Sequence, residues 1–287
     1  MRLFKGRAGF LMFGLAISAV CTLLFLHYRI TVPKKATDDQ RISVVLTFPY
    51  LLDPTWNSPG YSTLSLSQKE ARAEEYITGL SRTLIHPHIH EVHLLYDQDL
   101  LPDHVNKKLS SVSIQQKLFF HYLQNTRQAL STFRFAFEKL QGRLVMVTQA
   151  DVYPERGFDL IDIERLKSER LMYALTRHGR LEESCDMSGD FCDEGRKFVG
   201  SHDTYIFVPQ GRLTASAIDS LTTDTMAWGI DLVITWVFQN VLSYRVLNPC
   251  KVVFVYHIHC TYIRNTGRQR VNTVNTTGWI PPTSDLY

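Results

Sequence analysis

The stretch Val145-Met146-Val147-Thr148-Gln149-Ala150-Asp151-Val152-Tyr153-Pro154-Glu155-Arg156-Gly157-Phe158 decides the fold. With Leu144 in front of it, the run Leu144 to Val147 has the unbroken apolar character of a buried strand. Asp151 follows at the strand's end, and Pro154 and Gly157 turn the chain away. A lone acid there is either the start of a turn or part of a site. In sheets whose strands alternate with helices, ligands bind beyond the carboxyl ends of the strands, which is where Asp151 falls.

The neighbouring segments supply that alternation. Arg41 to Phe48 (RISVVLTF) and His90 to Tyr96 (HEVHLLY) are rich in strand-forming residues. Ser67 to Leu84 has helical spacing, with Ser67 as cap and Glu70 three residues on. Ile114 to Phe120 reads as a short strand or a helix start. Thr126 to Leu140 (TRQALSTFRFAFEKL) is an amphipathic helix stopped by Gly142. The pattern predicts an α/β fold, a mainly parallel mixed sheet with helices on its faces.

The chain has 287 residues, 45% of them hydrophobic, enough for a substantial core. A net charge of +3, with no basic run and no recognition-helix, zinc-finger or RNA-binding signature, argues against nucleic acid as a partner. At the N-terminus, residues 8–26 (AGFLMFGLAISAVCTLLFL) are uncharged and almost wholly apolar, long enough to cross a hydrocarbon core of about 30 Å as a helix. Arg2, Lys5 and Arg7 precede this run, so the short tail 1–7 is expected to stay cytosolic. The run exceeds the usual apolar region of a cleaved signal peptide and no small-x-small site follows it, which favours an uncleaved signal anchor. Residues 27–40 then form a stem, and the rest of the chain lies in the secretory lumen. Cys185, Cys192, Cys250 and Cys260 form an even set suited to an oxidising compartment, with three pairings open. Asn275-Thr276-Thr277 is a glycosylation acceptor.

A glycine-rich turn after the first strand, a Walker loop and a Gly-x-Ser-x-Gly elbow are all missing from the sequence. A sheet that offers a strand-end acid and no glycine loop suits a metal-bridged diphosphate, with Mg²⁺ or Mn²⁺ neutralising the leaving group. The second half of the chain carries the candidate partners. Leu171 to Thr176 is another apolar strand. Gly200-Ser201-His202-Asp203 is a polar knot opening onto the strand Thr204 to Val208. Gly229-Ile230-Asp231 leads into a helix from Leu232 to Leu242, and Asp231 could be its N-cap. Asn248-Pro249-Cys250 precedes a β-rich run with His257 and His259 on one face, then Arg264. His86, His88, His90 and His93 read as structural or exposed, and Trp228 and Tyr262 as buried aromatics before sugar-stacking ones.

Taken in order, these segments resemble the Golgi-type and viral glycosyltransferases of the nucleotide-diphospho-sugar transferase (GT-A) superfamily. The resemblance runs from about Arg41 to Arg264. It rests on Gly142-Arg143, on the strand ending Ala150-Asp151-Val152-Tyr153, on Gly200 to Phe207, on Gly229-Ile230-Asp231, and on Asn248-Pro249-Cys250 with His257-x-His259. It implies a GT-A-like domain over residues 41–265, a C-terminal tail over 266–287, and a single-pass type II protein of the Golgi or ER membrane. The implied activity moves a sugar from a nucleotide-sugar donor to a hydroxyl of a glycan, protein or lipid acceptor. Asp151, Val152, Gly200, Ser201 and Arg264 would bind the donor. Asp151, His257 and His259 would hold Mn²⁺ or Mg²⁺. Asp203, or in second place Asp231, would deprotonate the acceptor. Such enzymes often carry Asp-x-Asp at the metal site, where this chain has Gln149-Ala150-Asp151. That single acid is the support for a rival reading, a non-catalytic membrane-anchored protein of the same fold that binds glycans or partners.

Overall fold

The computed structural model describes residues 41–53, 61, 64–109, 111, 115–179, 191–192, 201–225, 227–261, 271 and 278–287. The expected tail, anchor and stem at 1–40 lie outside the described residues, as do Gly200, Tyr262, Arg264 and Asn275. Among the described residues no helix is long and apolar enough to cross a membrane.

Among the described residues, seven strands form the main sheet. They are β1 (Ile42–Thr47), β2 (Ile89–Tyr96), β3 (Leu118–Tyr122), β4 (Val145–Thr148), β6 (Leu171–Leu175), β7 (Thr204–Phe207) and β8 (Arg245–Leu247), in the order β3-β2-β1-β4-β7-β6-β8. Only β7 runs against its neighbours, pairing antiparallel with β4 and β6. The mainly parallel mixed sheet is therefore as expected, and 118–122, which overlaps the segment 114–120 that the sequence left open, is a strand. A separate two-stranded ribbon joins β5 (Val152–Pro154) antiparallel to β9 (Val255–His257).

Successive side chains of a strand face opposite ways, and the central strands are buried on both sides, as near-continuous apolar runs require. Val44, Leu46, Met146, Tyr173 and Ile206 enter one core. It is closed by helices α1 (Leu66–Ile85), α2 (Leu101–Lys108) and α4 (Ile163–Ser168). Val45, Val147, Met172, Ala174 and Phe207 enter the other, closed by α3 (Ala129–Lys139), α5 (Ala215–Leu221) and α6 (Ile230–Asn240).

Two helix starts differ from the sequence expectation. The cap of α1 is Ser65, whose Oγ accepts from the Gln68 amide at 3.3 Å while the Gln68 side chain accepts from the Ser65 amide at 3.0 Å. A glutamine at the third helical position closes this box as well as a glutamate, so Ser67 and Glu70 were not needed. In α6 the cap is Gly229, at φ 87°, and Asp231 sits inside the first turn. Only a residue free of Cβ takes that left-handed conformation cheaply.

Because β2 and β4 flank β1 on opposite sides, the connections diverge at the carboxyl ends of β1 and β4, the place where open sheets of this kind take ligands. The reversed β7 brings its first residues to that same edge, with Thr148 opposite Thr204. Asp151 and Asp203 thus meet one rim of the sheet, one after a strand and one before a strand.

Candidate functional site

Helix α1 sets the first half of the site. Its buried stripe carries Arg72, Glu75 and Tyr76 among Ala73, Leu80 and Leu84. Gly79 lets the helix press on the turn after β4, since a Cβ at that position would lie 2.7 Å from the Ala150 carbonyl oxygen. That approach brings Arg72 to Asp151, whose Oδ2 accepts from Arg72 Nη2. The same oxygen lies 2.9 Å from His257 Nε2.

The ribbon supplies the histidines. Val152 is in register with His257, and the Ile258 amide donates to the Asp151 carbonyl at 2.8 Å. The chain is then held at His259 from the helix side. Arg72 Nη1 donates to the Ile258 carbonyl at 3.0 Å and to Glu75. Glu75 in turn accepts from the Thr261 amide at 2.7 Å and from its hydroxyl at 3.1 Å. One ligand atom from each of Asp151, His257 and His259 lies within 4.8 Å of the others. Burial pushes the Asp151 carboxyl up, but the neighbouring charges of His257 and Arg72 outweigh it and hold it well below the usual carboxylate range. Burial lowers the Arg72 guanidinium, and Tyr76 and Asp151 more than reverse this, so it stays firmly charged. The buried His257 Nδ1 and Arg72 Nε have no hydrogen-bond partner among the described residues.

The second half starts from Gln149, two residues before Asp151. Its Nε2 donates to Asp203 Oδ1 at 3.1 Å. Asp203 also accepts from Arg177 Nη1 at 2.8 Å and from Ser201 Oγ at 3.1 Å. Asp231 stands behind this group, its Oδ2 accepting from the His202 amide at 3.1 Å. Burial first, and then the charge of Asp203, push the Asp231 carboxyl up to about 6. Burial lowers the His202 imidazole to about 4 against the pull of Asp203, so it is neutral at pH 7.

The expected metal residues Asp151, His257 and His259 therefore come together, as do Asp203, Ser201 and Asp231. Val152 is different: its side chain is sunk in the core at 1% exposure, which leaves only its backbone beside the site. Asp151, expected at an open lip, is itself 4% exposed. Trp228, expected in the core, is 53% exposed beside the Gly229 turn. His86 and His93 are structural, the first against the Glu155 carbonyl at 2.7 Å, the second between Glu91 at 2.8 Å and His121 at 3.0 Å. Of the cysteines, Cys192 pairs with Cys250 across a Cα–Cα distance of 6.0 Å, and Cys260 is also disulfide-bonded.

Sequence reading missed Arg72, Glu75, Gln149 and Arg177. For the first two a signal existed. Charged residues at i and i+3 on the stripe that helical spacing buries need a buried partner, and a strand-end acid is one. Gln149 and Arg177 gave none, because only the pairing of β7 with β4 and with β6 makes them neighbours of Asp203.

No protein-family model matches the chain. No curated protein sequence matches it either. Solved structures similar to it include the 4-diphosphocytidyl-2C-methyl-D-erythritol synthase of Anaerococcus prevotii DSM 20548, at 11% identity and TM-score 0.39, covering 80% of this chain and 92% of that one. A Desulfovibrio desulfuricans G20 protein provisionally assigned as a nucleotide-diphospho-sugar transferase follows at 10% identity and TM-score 0.34, covering 70% and 89%. A UDP-glucose pyrophosphorylase in complex with UDP-glucose is similar at 11% and TM-score 0.31, covering 59% and 76%. Similarities of this size carry no argument about chemistry, which rests on the residues above.

Proposed function

We infer that the protein is a nucleotide-sugar-dependent glycosyltransferase assisted by a divalent cation. The observation that carries this reading is the convergence of Asp151, His257 and His259 at a sheet edge where two strand connections diverge. The donor set fits a cation: one carboxylate held ionised, two imidazoles, and a buried His257 Nδ1 with its lone pair or proton unmatched among the described residues. Imidazole ligands suit Mn²⁺ better than Mg²⁺, which prefers an all-oxygen shell. When bound, the cation neutralises charge on a leaving diphosphate.

The protein's own residues divide the remaining work. Asp151 is held in place by Arg72 and His257, so its orientation is fixed before any ligand arrives. Asp203 is kept busy by Arg177, Gln149 and Ser201, which makes it an anchor for the rim. Asp231, raised to about 6, is a carboxylate at neutral pH with a proton affinity close to what a general base needs. It takes the proton of the acceptor hydroxyl, which places it ahead of Asp203 for that role. The acceptor is a glycan, protein or lipid hydroxyl. The setting is the lumen of the Golgi or ER, with residues 8–26 as a type II anchor.

The test is release of nucleoside diphosphate from a panel of nucleotide-sugars by the full chain with Mn²⁺, with Asp151→Asn as control. Release that needs both Mn²⁺ and Asp151 supports the reading. A panel without any release, from a folded protein that still binds nucleotide-sugars, moves it to the non-catalytic alternative.

A further inference from the structure

His257 and His259 stand on different footings. His257 belongs to β9, in register with Val152, and its Nε2 lies 2.9 Å from Asp151 Oδ2. His259 lies past the last pair of that ladder. The backbone on both sides of it is held from helix α1 instead. Before it, the Ile258 carbonyl accepts from Arg72 Nη1 at 3.0 Å. After it, the Thr261 amide and hydroxyl donate to Glu75 at 2.7 and 3.1 Å. Arg72 and Glu75 are buried, bonded to each other, and one turn apart on the same stripe. A carboxylate so enclosed is costly unless its oxygens are matched, and a guanidinium, an amide and a hydroxyl match these. The two side chains form a bracket across residues 258–261, seated on a helix of 20 residues. Cys260 is disulfide-bonded, which tethers the same segment. A tether limits how far the segment can travel. Hydrogen bonds to main-chain groups set the direction of the peptide planes, and that direction decides where the His259 ring points.

We propose that Glu75 is the positioning residue for His259: joined to Arg72, it brackets residues 258–261 and sets that imidazole in the cation cluster, while the β5–β9 ribbon sets His257. The inference rests on the reading of Asp151, His257 and His259 as a cation site. Glu75 is none of the three and acts through the main chain. Groups that orient a ligand from outside its coordination shell commonly carry a tenth to a hundredth of the affinity, about 10–100-fold when removed.

The test is electron spin echo spectroscopy of Mn²⁺ on the full, oxidised chain, which counts the imidazole nitrogens on the ion, with affinity measured by equilibrium dialysis. Wild type should show the nitrogens of both histidines. Glu75→Ala should keep the His257 nitrogen alone, match the spectrum of His259→Ala, and bind Mn²⁺ about tenfold more weakly or worse. Glu75→Gln leaves an oxygen for the Thr261 amide and should retain both nitrogens. A merely stabilising Glu75 would lower the melting temperature and leave the nitrogen count unchanged. A Glu75→Ala protein that folds by circular dichroism and keeps both nitrogens at wild-type affinity therefore overturns the proposal. So does one that loses both together, since Glu75 would then support the whole cluster. Should Glu75→Ala not fold, Thr261→Val decides. It keeps the Arg72–Glu75 pair, removes the hydroxyl bond, and should weaken Mn²⁺ binding about threefold or more where Thr261→Ser does not. Equal affinities in wild type and Thr261→Val overturn the proposal. A wild type without nitrogen coupling refutes the cation reading and the bracket with it, whereas both nitrogens kept in every Glu75 and Thr261 variant refute the bracket alone.

Discussion

His257 Nε2 lies 2.9 Å from Asp151 Oδ2, across a ribbon that joins residues 106 positions apart in the chain. Since Arg72 reaches the same oxygen, the carboxylate is the meeting point of two basic groups. It ties helix α1 to the ribbon.

Asp151→Asn should therefore abolish nucleotide release and also cost stability, about 3–5 kcal/mol, because it leaves the Arg72 charge buried with one acid fewer. This differs from what an exposed strand-end acid would do. The pH dependence has a definite sign. The folded Asp151 carboxyl is held below its ordinary value of about 4, so its contribution is present above that value and is lost as pH falls through the folded one. Urea melts of wild type and variant should be far apart at pH 7 and draw together in acid. Parallel curves at all pH values would show that the ion pair does not form.

Asp231→Asn should behave in the opposite way. A carboxyl raised to about 6 binds its proton more tightly in the folded state, so it favours folding below about pH 4 and the advantage is lost as pH rises through 6. Removing the charge should then stabilise the protein at pH 7 by at most about 3 kcal/mol, with no gain near pH 4. Turnover should fall by about a hundredfold or more if Asp231 is the base. Asp203→Asn should instead mainly destabilise, since Arg177 loses its partner. Turnover profiles of both variants at saturating donor separate the roles, and a large turnover loss in Asp203→Asn alone would give the role back to Asp203.

Gly79→Ala tests the contact between α1 and the β4 turn. Alanine is the better helix former by about 1 kcal/mol, yet its Cβ would lie 2.7 Å from a backbone oxygen that cannot step aside cheaply. We expect a net loss of about 1–3 kcal/mol, because the helix must move off the turn after β4. A more stable variant would mean that the helix is not seated as described.

Reducing the Cys192–Cys250 bond should be costly. The bond closes a loop with a sequence separation of 58, and the loss of that closure is worth about 4 kcal/mol on chain-entropy grounds. A Cys192→Ser protein should unfold at correspondingly lower urea. Unchanged melting in strong reductant would remove the disulfide from the stability of the fold.

The unbroken apolar runs Val44 to Leu46 and Leu144 to Val147, alternating with helical segments, were enough to read a sheet covered on both faces, because a strand buried on both sides leaves a local trace. His257 and His259 were legible from their spacing of two. Arg72 was not read, although it lies on a stripe whose burial was foreseen. Its partner is 79 residues away and the pairing has no sequence period. The sequence ranked Asp203 before Asp231, and it could not show that Arg177, Gln149 and Ser201 converge on Asp203. Asp231, read as a possible cap and as the second candidate base, sits inside the first turn, and Gly229 holds the cap position.

The β5–β9 ribbon has a consequence for how the protein matures. Arg72 and Ile258 are 186 residues apart, and the site exists only once both have docked. Loops of that size close late and slowly during folding, after local helices and neighbouring strands have formed. A chain cut before His257 can own most of the sheet and yet lack the cluster of Asp151, His257 and His259. Assembly of that cluster is thus a late marker of folding, found only in molecules whose β9 is already in place.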